Sequence, residues 1–163
     1  MRFAQFVQSA TLLLLFAVGL AMPAHAQANK PIISGTWYED RASGFTANNQ
    51  ILLTLAQTPA NKLLNITHVA CTINTKSTQA LLAVDLDVGS TSGSVDLFRP
   101  YPIRGNVSPQ VTNSTNSWSV VTDRIFYKVG PGRYPSINIL TSSDGASYAI
   151  NATCIIVGEL SDS

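Results

Sequence analysis

The side chains best suited to ligand chemistry in this sequence are aromatic rings and guanidinium groups in two loop-like stretches. The first stretch is Pro100 to Ser117, and the second surrounds the turn Gly130-Pro131-Gly132. Aromatic rings stack on sugars, and the planar fork of arginine binds carboxylates or phosphates. If both loops lie at one end of the fold they form a binding rim, whereas otherwise the rings cover the ends of the core. The candidate binding residues are Arg99, Tyr101, Arg104, Trp118, Arg133 and Tyr134.

Side chains for nucleophilic catalysis are scarce. After residue 26 the single histidine is His68, so any Ser-His-Asp or Cys-His mechanism would have to use it. Its place between Thr67 and Val69 is typical of a structural or surface histidine. The run Gly89 to Gly93 has threonine where a nucleophile elbow has serine, and the S-x-x-K, H-E-x-x-H and glycine-rich phosphate motifs are missing. We therefore predict a non-catalytic protein without a cofactor.

Three carboxylates, Asp85, Asp87 and Asp96, fall on the predicted outer faces of two strands. If they converged, they could bind Ca²⁺ or act as a glycosidase pair. No Asp-rich loop or fixed ligand spacing accompanies them. This pattern favours a solvated face whose charges discourage pairing at a sheet edge, and we predict no metal site.

Two cysteines, Cys71 and Cys154, are present. An isolated pair in an oxidising compartment usually forms one disulfide, which is our prediction, and two buried free thiols are the alternative. A zinc site is disfavoured because zinc takes about four ligands.

The first 26 residues have the pattern of an export signal. Arg2 supplies a positive charge, Thr11 to Leu20 is continuously apolar, and Ala24-His25-Ala26 matches a cleavage site. The alternative is an uncleaved anchor, but the apolar run is shorter than the roughly 20 residues that span a bilayer. We predict a cleaved signal peptide over residues 1–26, no transmembrane segment in the mature chain, and a periplasmic or extracellular location.

The composition limits the partners. Of the 163 residues, 45% are hydrophobic and 12% charged, with 10 Lys and Arg against 9 Asp and Glu. This balance argues against a polybasic nucleic-acid binder, and the apolar content argues against a disordered tail. Without the predicted signal the chain is formally neutral, and Ser, Thr and Asn make up nearly a third of it. Recognition therefore falls to loops rather than to long-range charge.

Apolar alternation predicts strands along most of the chain. In Lys62 to Asn74, the side chains of Val69, Cys71 and Ile73 share one face. Between Gln79 and Val88 the predicted inward residues are Leu82, Val84, Leu86 and Val88, with Asp85 and Asp87 on a wet outer face. Further strands are predicted at Gly35–Glu39, Gln50–Gln57, Val95–Arg99, Trp118–Thr122, Arg124–Val129, Ser136–Thr141 and Ser147–Leu160, with turns at Asp40–Asn49 and Ser142–Gly145.

About seven to nine such strands without a helical period predict an all-β fold. Its expected form is a single antiparallel β-sandwich of Greek-key or jelly-roll kind over residues 35–163, after a flexible leader at 27–34. A closed β-barrel is the alternative, because the pattern does not separate the two.

Two segments carry a resemblance. The turn and strand from Thr58 to Val69 (TPANKLLNITHV) and the ending Cys154 to Leu160 (CIIVGEL) resemble segments of short exported bacterial β-sandwich proteins of uncharacterised role. Asn61 stands where those proteins have glycine, which a turn tolerates. The resemblance implies the fold and a bacterial envelope setting, and it implies no activity.

Two functions from different classes follow. The first is an exported binding or surface-interaction module whose partner is a glycan or an envelope protein. The second is a structural or assembly subunit of the cell envelope. No nucleic-acid partner is expected.

Overall fold

A computed structural model describes residues 27–28, 30–103, 108–142 and 149–163, and the predicted signal peptide lies outside them. Within these ranges the regular structure is β-strand, without helix. The strands are β1 (Gln27–Ala28), β2 (Ile32–Ser34), β3 (Trp37–Thr46), β4 (Gln50–Thr54), β5 (Lys62–Lys76), β6 (Leu81–Gly89), β7 (Tyr101–Pro102), β8 (Gln110–Thr112), β9 (Thr115–Val129), β10 (Tyr134–Thr141) and β11 (Ile150–Asp162). None of the described elements is a helix that could cross a bilayer.

The strands form two antiparallel sheets. The larger sheet has seven strands in the order β1-β3-β11-β5-β9-β8, with β2 also paired to β3. The smaller sheet has four strands in the order β4-β10-β6-β7. Neither sheet closes on itself within the described ranges, so the predicted sandwich is confirmed and the alternative closed barrel is wrong.

The inward faces of the two sheets share one hydrophobic core. On β5 the side chains of Val69, Cys71 and Ile73 are buried, as their alternation predicts. The smaller sheet contributes Leu53, Val84, Leu86, Ile137 and Ile139. Burying each large apolar side chain stabilises the fold by about 1.5–3 kcal/mol, so apolar packing is the main interaction between the two layers.

The predicted disulfide between Cys71 and Cys154 is confirmed. The two residues face each other across β5 and β11, with their Cα atoms 4.1 Å apart and a separation of 83 positions in the sequence. Both side chains lie on the core side of the sheet. The bridge therefore joins adjacent strands of one layer while closing a long loop of the chain.

The predicted turn at Asp40–Asn49 is wrong over residues 40–46, because β3 continues to Thr46. The polar residues of β3 give no apolar alternation, so the sequence pattern does not predict this part of the strand. Asp40 points inward and accepts hydrogen bonds from the backbone N–H groups of Arg41 and Ala56, each at 2.7 Å. On its outer side β3 pairs with β1 and β2, both of which lie in the predicted leader.

Two residues of β6, Leu82 and Asp87, do not have the exposure that the sequence predicts. Leu82 is 61% exposed, because the pairing of β6 with β10 shifts register near Leu81 and takes Leu82 off the inward face. Asp87 is only 4% exposed and does not lie on a wet face. The predicted strand Val95–Arg99 is also wrong, because these residues belong to the loop that follows β6.

Candidate functional site

Of the two predicted binding loops, the turn at Gly130 to Gly132 lies at one end of the smaller sheet beside the loop that follows β6, whereas the described residues of Pro100 to Ser117 do not line the cleft there. Tyr134, the first residue of β10, lies opposite Gly89, the last residue of β6. The loop after β6 and the turn before β10 are therefore neighbours. Between them is a cleft of about 470 Å³, lined by Val88, Gly89, Ser90, Ser94, Val95, Asp96, Arg99, Gly130 and Arg133.

The loop on one side of the cleft is tightly folded. A Cβ atom at Gly89 would collide with the carbonyl oxygen of Ser94, so the loop can close this tightly only over a glycine. The Ser94 hydroxyl donates to the carbonyl oxygen of Thr91 at 2.8 Å. The N–H of Asp96 then donates to the carbonyl oxygen of Val88 at 2.6 Å, which ties the loop back to β6.

Arg99 is anchored at the end of this loop by Tyr127 of β9. The Arg99 guanidinium carbon lies 5.4 Å from the centroid of the Tyr127 ring, a cation–π arrangement. Arg99 Nη2 donates to the carbonyl oxygen of Lys128 at 3.3 Å. In return, the Tyr127 hydroxyl donates to the carbonyl oxygen of Arg99 at 3.0 Å. These contacts fix the position of the Arg99 guanidinium at the edge of the cleft.

The turn that carries Arg133 is held by a buried threonine that the sequence pattern does not single out. Thr58 Oγ1 donates to the carbonyl oxygen of Gly130 at 2.6 Å and accepts from the N–H of Arg133 at 3.0 Å. Its own N–H donates to the carbonyl oxygen of Arg133 at 2.9 Å. A threonine in a turn gives no sequence signal for partners more than 70 residues away.

Arg133 is an exposed residue, and no hydrogen bond or ion pair joins its guanidinium to another side chain in the described part of the molecule. It therefore lines the cleft with its donors available. Among the described residues that line the cleft, Asp96 is the acidic one, and its Oδ1 accepts from the N–H of Phe98 at 3.1 Å. The residues that line the cleft thus include two arginines and one aspartate whose carboxylate is already hydrogen-bonded.

The acidic residues behind the loop have raised pKa values. Burial is the main cause for Asp87, and the neighbouring carboxylates of Asp85 and Asp96 raise its pKa further. The pKa of Asp85 is also raised by burial. These three side chains are near one another, but among the described residues no acidic, histidine or cysteine group is arranged to hold a metal ion.

Of the remaining predicted binding residues, Tyr101 and Tyr134 lie at the cleft end of the sandwich, and Trp118 does not. Tyr101 packs edge-on against Tyr127 with 6.1 Å between the ring centroids, and half-buried Tyr134 follows Arg133 directly. Trp118 is buried, and its Nε1 donates to Thr75 Oγ1 at 3.1 Å. It precedes Tyr127 by nine residues on β9, about 30 Å along the strand. Trp118 therefore belongs to the core at the other end of the sandwich, and Arg104 lies outside the described residues.

The single histidine after residue 26 is also away from the cleft. His68 pairs through Nδ1 with the carboxylate of Asp123 on the outer face of the larger sheet. Both cysteines are bridged.

Comparison with protein-family models gave no match, and comparison with curated proteins gave no significant similarity. The site is therefore interpreted from its own geometry.

Proposed function

We propose that this protein is an exported, non-catalytic binding module whose cleft takes a ligand bearing a carboxylate or phosphate, such as an acidic glycan of the cell envelope. The observation that carries the proposal is the Arg133 guanidinium, which lines the cleft beside Arg99 with its donors available. Guanidinium groups bind carboxylates and phosphates through two parallel hydrogen bonds.

The residues of the cleft are ordered without a ligand, so the site is preorganised. Tyr127 holds Arg99 from one side, and Thr58 holds the backbone of the Arg133 turn from the other. A site that is already ordered loses little conformational freedom on binding, so more of the interaction energy becomes affinity.

The other polar groups of the cleft fit the hydroxyl groups of a sugar. Ser90 and Ser94 supply hydroxyls, and Asp96 supplies a carboxylate that can accept further hydrogen bonds. Tyr134, next to Arg133, adds a half-buried ring at the same end. An acidic saccharide satisfies the cations and the hydroxyls together.

A non-catalytic role is supported by the position of the reactive side chains. Both cysteines are in the disulfide, and His68 pairs with Asp123 away from the cleft. Export is supported by the disulfide, because disulfides persist in oxidising compartments, and by the signal-like pattern of the first 26 residues.

Titration calorimetry tests the cleft. We expect oligogalacturonate to bind the purified protein, the neutral galactose oligomer to bind at least tenfold more weakly, and Arg133→Gln to weaken oligogalacturonate binding by about tenfold or more. Arg41→Gln is the matched control, since Arg41 is an exposed arginine on β3. Equal binding of the charged and neutral sugars, or equal effects of the two substitutions, would refute the proposal.

The alternative role, an assembly subunit, is favoured by one observation. β8 covers only Thr115 to Ser117 of β9, and no other described strand pairs with β9 on that side. A strand edge of this kind can pair with a second copy. Sedimentation separates the two roles, because a monomer that binds the acidic sugar excludes assembly through this edge.

A further inference from the structure

The loop beside the cleft carries two large apolar side chains at the centre of a tight turn. The turn runs from Asp96 to Arg99 and is closed by a hydrogen bond from the N–H of Arg99 to the carbonyl oxygen of Asp96 at 3.1 Å. Its central residues, Leu97 and Phe98, are 79% and 95% exposed. Such positions usually carry glycine, proline or small polar residues, so an apolar pair here is unusual.

The exposure of this pair does not come from a loose loop. Asp96 Oδ1 accepts from the N–H of Phe98, which fixes the turn from within. On one side the N–H of Asp96 is bound to Val88, and on the other the carbonyl oxygen of Arg99 is bound to Tyr127. These hydrogen bonds fix the backbone of the turn, so Leu97 and Phe98 are exposed on an ordered loop.

Cationic side chains lie around the turn, whose own first residue is the acidic Asp96. Arg99 follows Phe98 directly, its guanidinium bonds the backbone of Lys128, and Arg133 lies across the cleft. Phe126, 83% exposed, is two residues before Lys128 and on the same face of β9. Exposed apolar side chains beside cations match the layered chemistry of a lipid surface, where phosphates lie above hydrocarbon.

We propose that the Leu97–Phe98 turn inserts into an anionic lipid surface, with Arg99, Lys128 and Arg133 contacting the lipid phosphates. The two apolar side chains enter the interface below the headgroups, and the cations remain at headgroup level. The protein carries a formal net charge of only +1, so local cations rather than a long-range field give the attraction. This inference goes beyond the proposed function and shares with it Arg99 and Arg133.

Co-sedimentation with vesicles tests the inference. We expect the purified protein to bind vesicles of phosphatidylglycerol and phosphatidylcholine, and to bind pure phosphatidylcholine vesicles much less. The double variant Leu97→Ser with Phe98→Ser should lower the vesicle partition coefficient by roughly tenfold or more, because each buried side chain contributes about that factor.

The matched control replaces the same two residue types at the other end of the sandwich. Phe45 and Leu82 are 57% and 61% exposed, and both lie at the ends of β3 and β6 away from the cleft. Phe45→Ser with Leu82→Ser should leave vesicle binding unchanged. Equal losses in the two double variants, or equal binding to both vesicle types, would overturn the inference.

Two further measurements distinguish lipid contact from loss of the loop structure and from burial of the turn by a second copy. Retention of oligogalacturonate binding by the Leu97→Ser, Phe98→Ser variant would support lipid contact, because the loop is then intact and vesicle binding alone is lost. If the unmodified protein sediments as a dimer and this variant as a monomer, a second copy covers the turn and the lipid proposal is overturned. Vesicle binding that depends on Leu97 and Phe98, without any sugar binding, would refute the proposed function and leave this inference standing.

Discussion

Arg99 and Tyr127 hold each other at two points: the tyrosine hydroxyl donates to the arginine carbonyl oxygen at 3.0 Å, and the guanidinium carbon lies 5.4 Å from the centroid of the tyrosine ring. Tyr127 belongs to the larger sheet, and Arg99 belongs to the loop after β6 of the smaller sheet. One pair of residues therefore joins the two layers and positions the cleft.

Tyr127→Phe removes the hydroxyl and keeps the ring. We expect the free energy of unfolding to fall by about 0.5–1.5 kcal/mol, the usual contribution of one hydrogen bond, and oligogalacturonate binding to weaken. Urea denaturation and calorimetry measure the two effects. Tyr101→Phe is the control, because Tyr101 contacts Tyr127 through its ring, and a comparable loss there would show that the hydroxyl of Tyr127 has no special role.

Thr58→Val replaces the buried hydroxyl by a methyl group of similar size. The carbonyl oxygen of Gly130 loses its donor and the N–H of Arg133 loses its acceptor, so we expect a loss of about 1–3 kcal/mol in unfolding free energy. Thermal or urea denaturation measures it. Thr153→Val, a half-buried threonine on β11, should change stability much less. If the two variants are equally stable, Thr58 does not hold the turn.

Replacing Cys71 and Cys154 together by alanine should lower the free energy of unfolding by about 4–5 kcal/mol on the chain-entropy model. Urea denaturation of the variant and of the oxidised protein gives the difference. Intact-mass measurement after alkylation without reductant should show no modified thiol. Two alkylated thiols in the native protein would contradict the bridge.

Asp87→Asn should raise the free energy of unfolding at pH 7. Because the folded protein raises the pKa of Asp87 above its ordinary 3.8, the folded state favours the neutral carboxyl group. The stability that the neutral carboxyl group gives the folded state is fully present below pH 3.8. It is lost as the pH rises through the folded-state pKa of Asp87. The advantage of the variant should therefore shrink on acidification.

Urea denaturation at pH 7 and at about pH 3.5, just below the ordinary pKa of an aspartate, measures this dependence. Glu159→Gln is the control, since Glu159 is exposed on β11. A variant that is less stable than the unmodified protein at pH 7 would show that the carboxylate of Asp87 has a favourable partner.

The core could be predicted because it depends on local alternation, and the bridge because the chain has a single pair of cysteines. Val69, Cys71 and Ile73 are two residues apart on one strand, and burial follows from that spacing alone. Arg99 and Arg133 could also be found from the sequence, since both flank turn-like stretches. Thr58 could not be found, because its partners at Gly130 and Arg133 come close only when the sheets pack.

Trp118 lies on a strand, although its position in the sequence predicts a residue at the end of a loop. The sequence places it at the exit of a Pro- and Asn-rich run, but β9 begins three residues earlier, at Thr115, and Trp118 takes the inward phase of the strand. The hydrogen bond of its indole to Thr75 then depends on the pairing of β9 with β5. Neither the early start nor the register has a signal in composition.

The position of β11 means that the larger sheet cannot be completed before the last of the described strands is in place. β11 is the last of the described strands in the sequence, but it lies between β3 and β5, which come much earlier in the chain. Until it arrives, the larger sheet is two separate fragments, each with an unsatisfied edge, and Cys71 has no thiol to react with. Insertion of β11 joins the fragments and places Cys154 opposite Cys71.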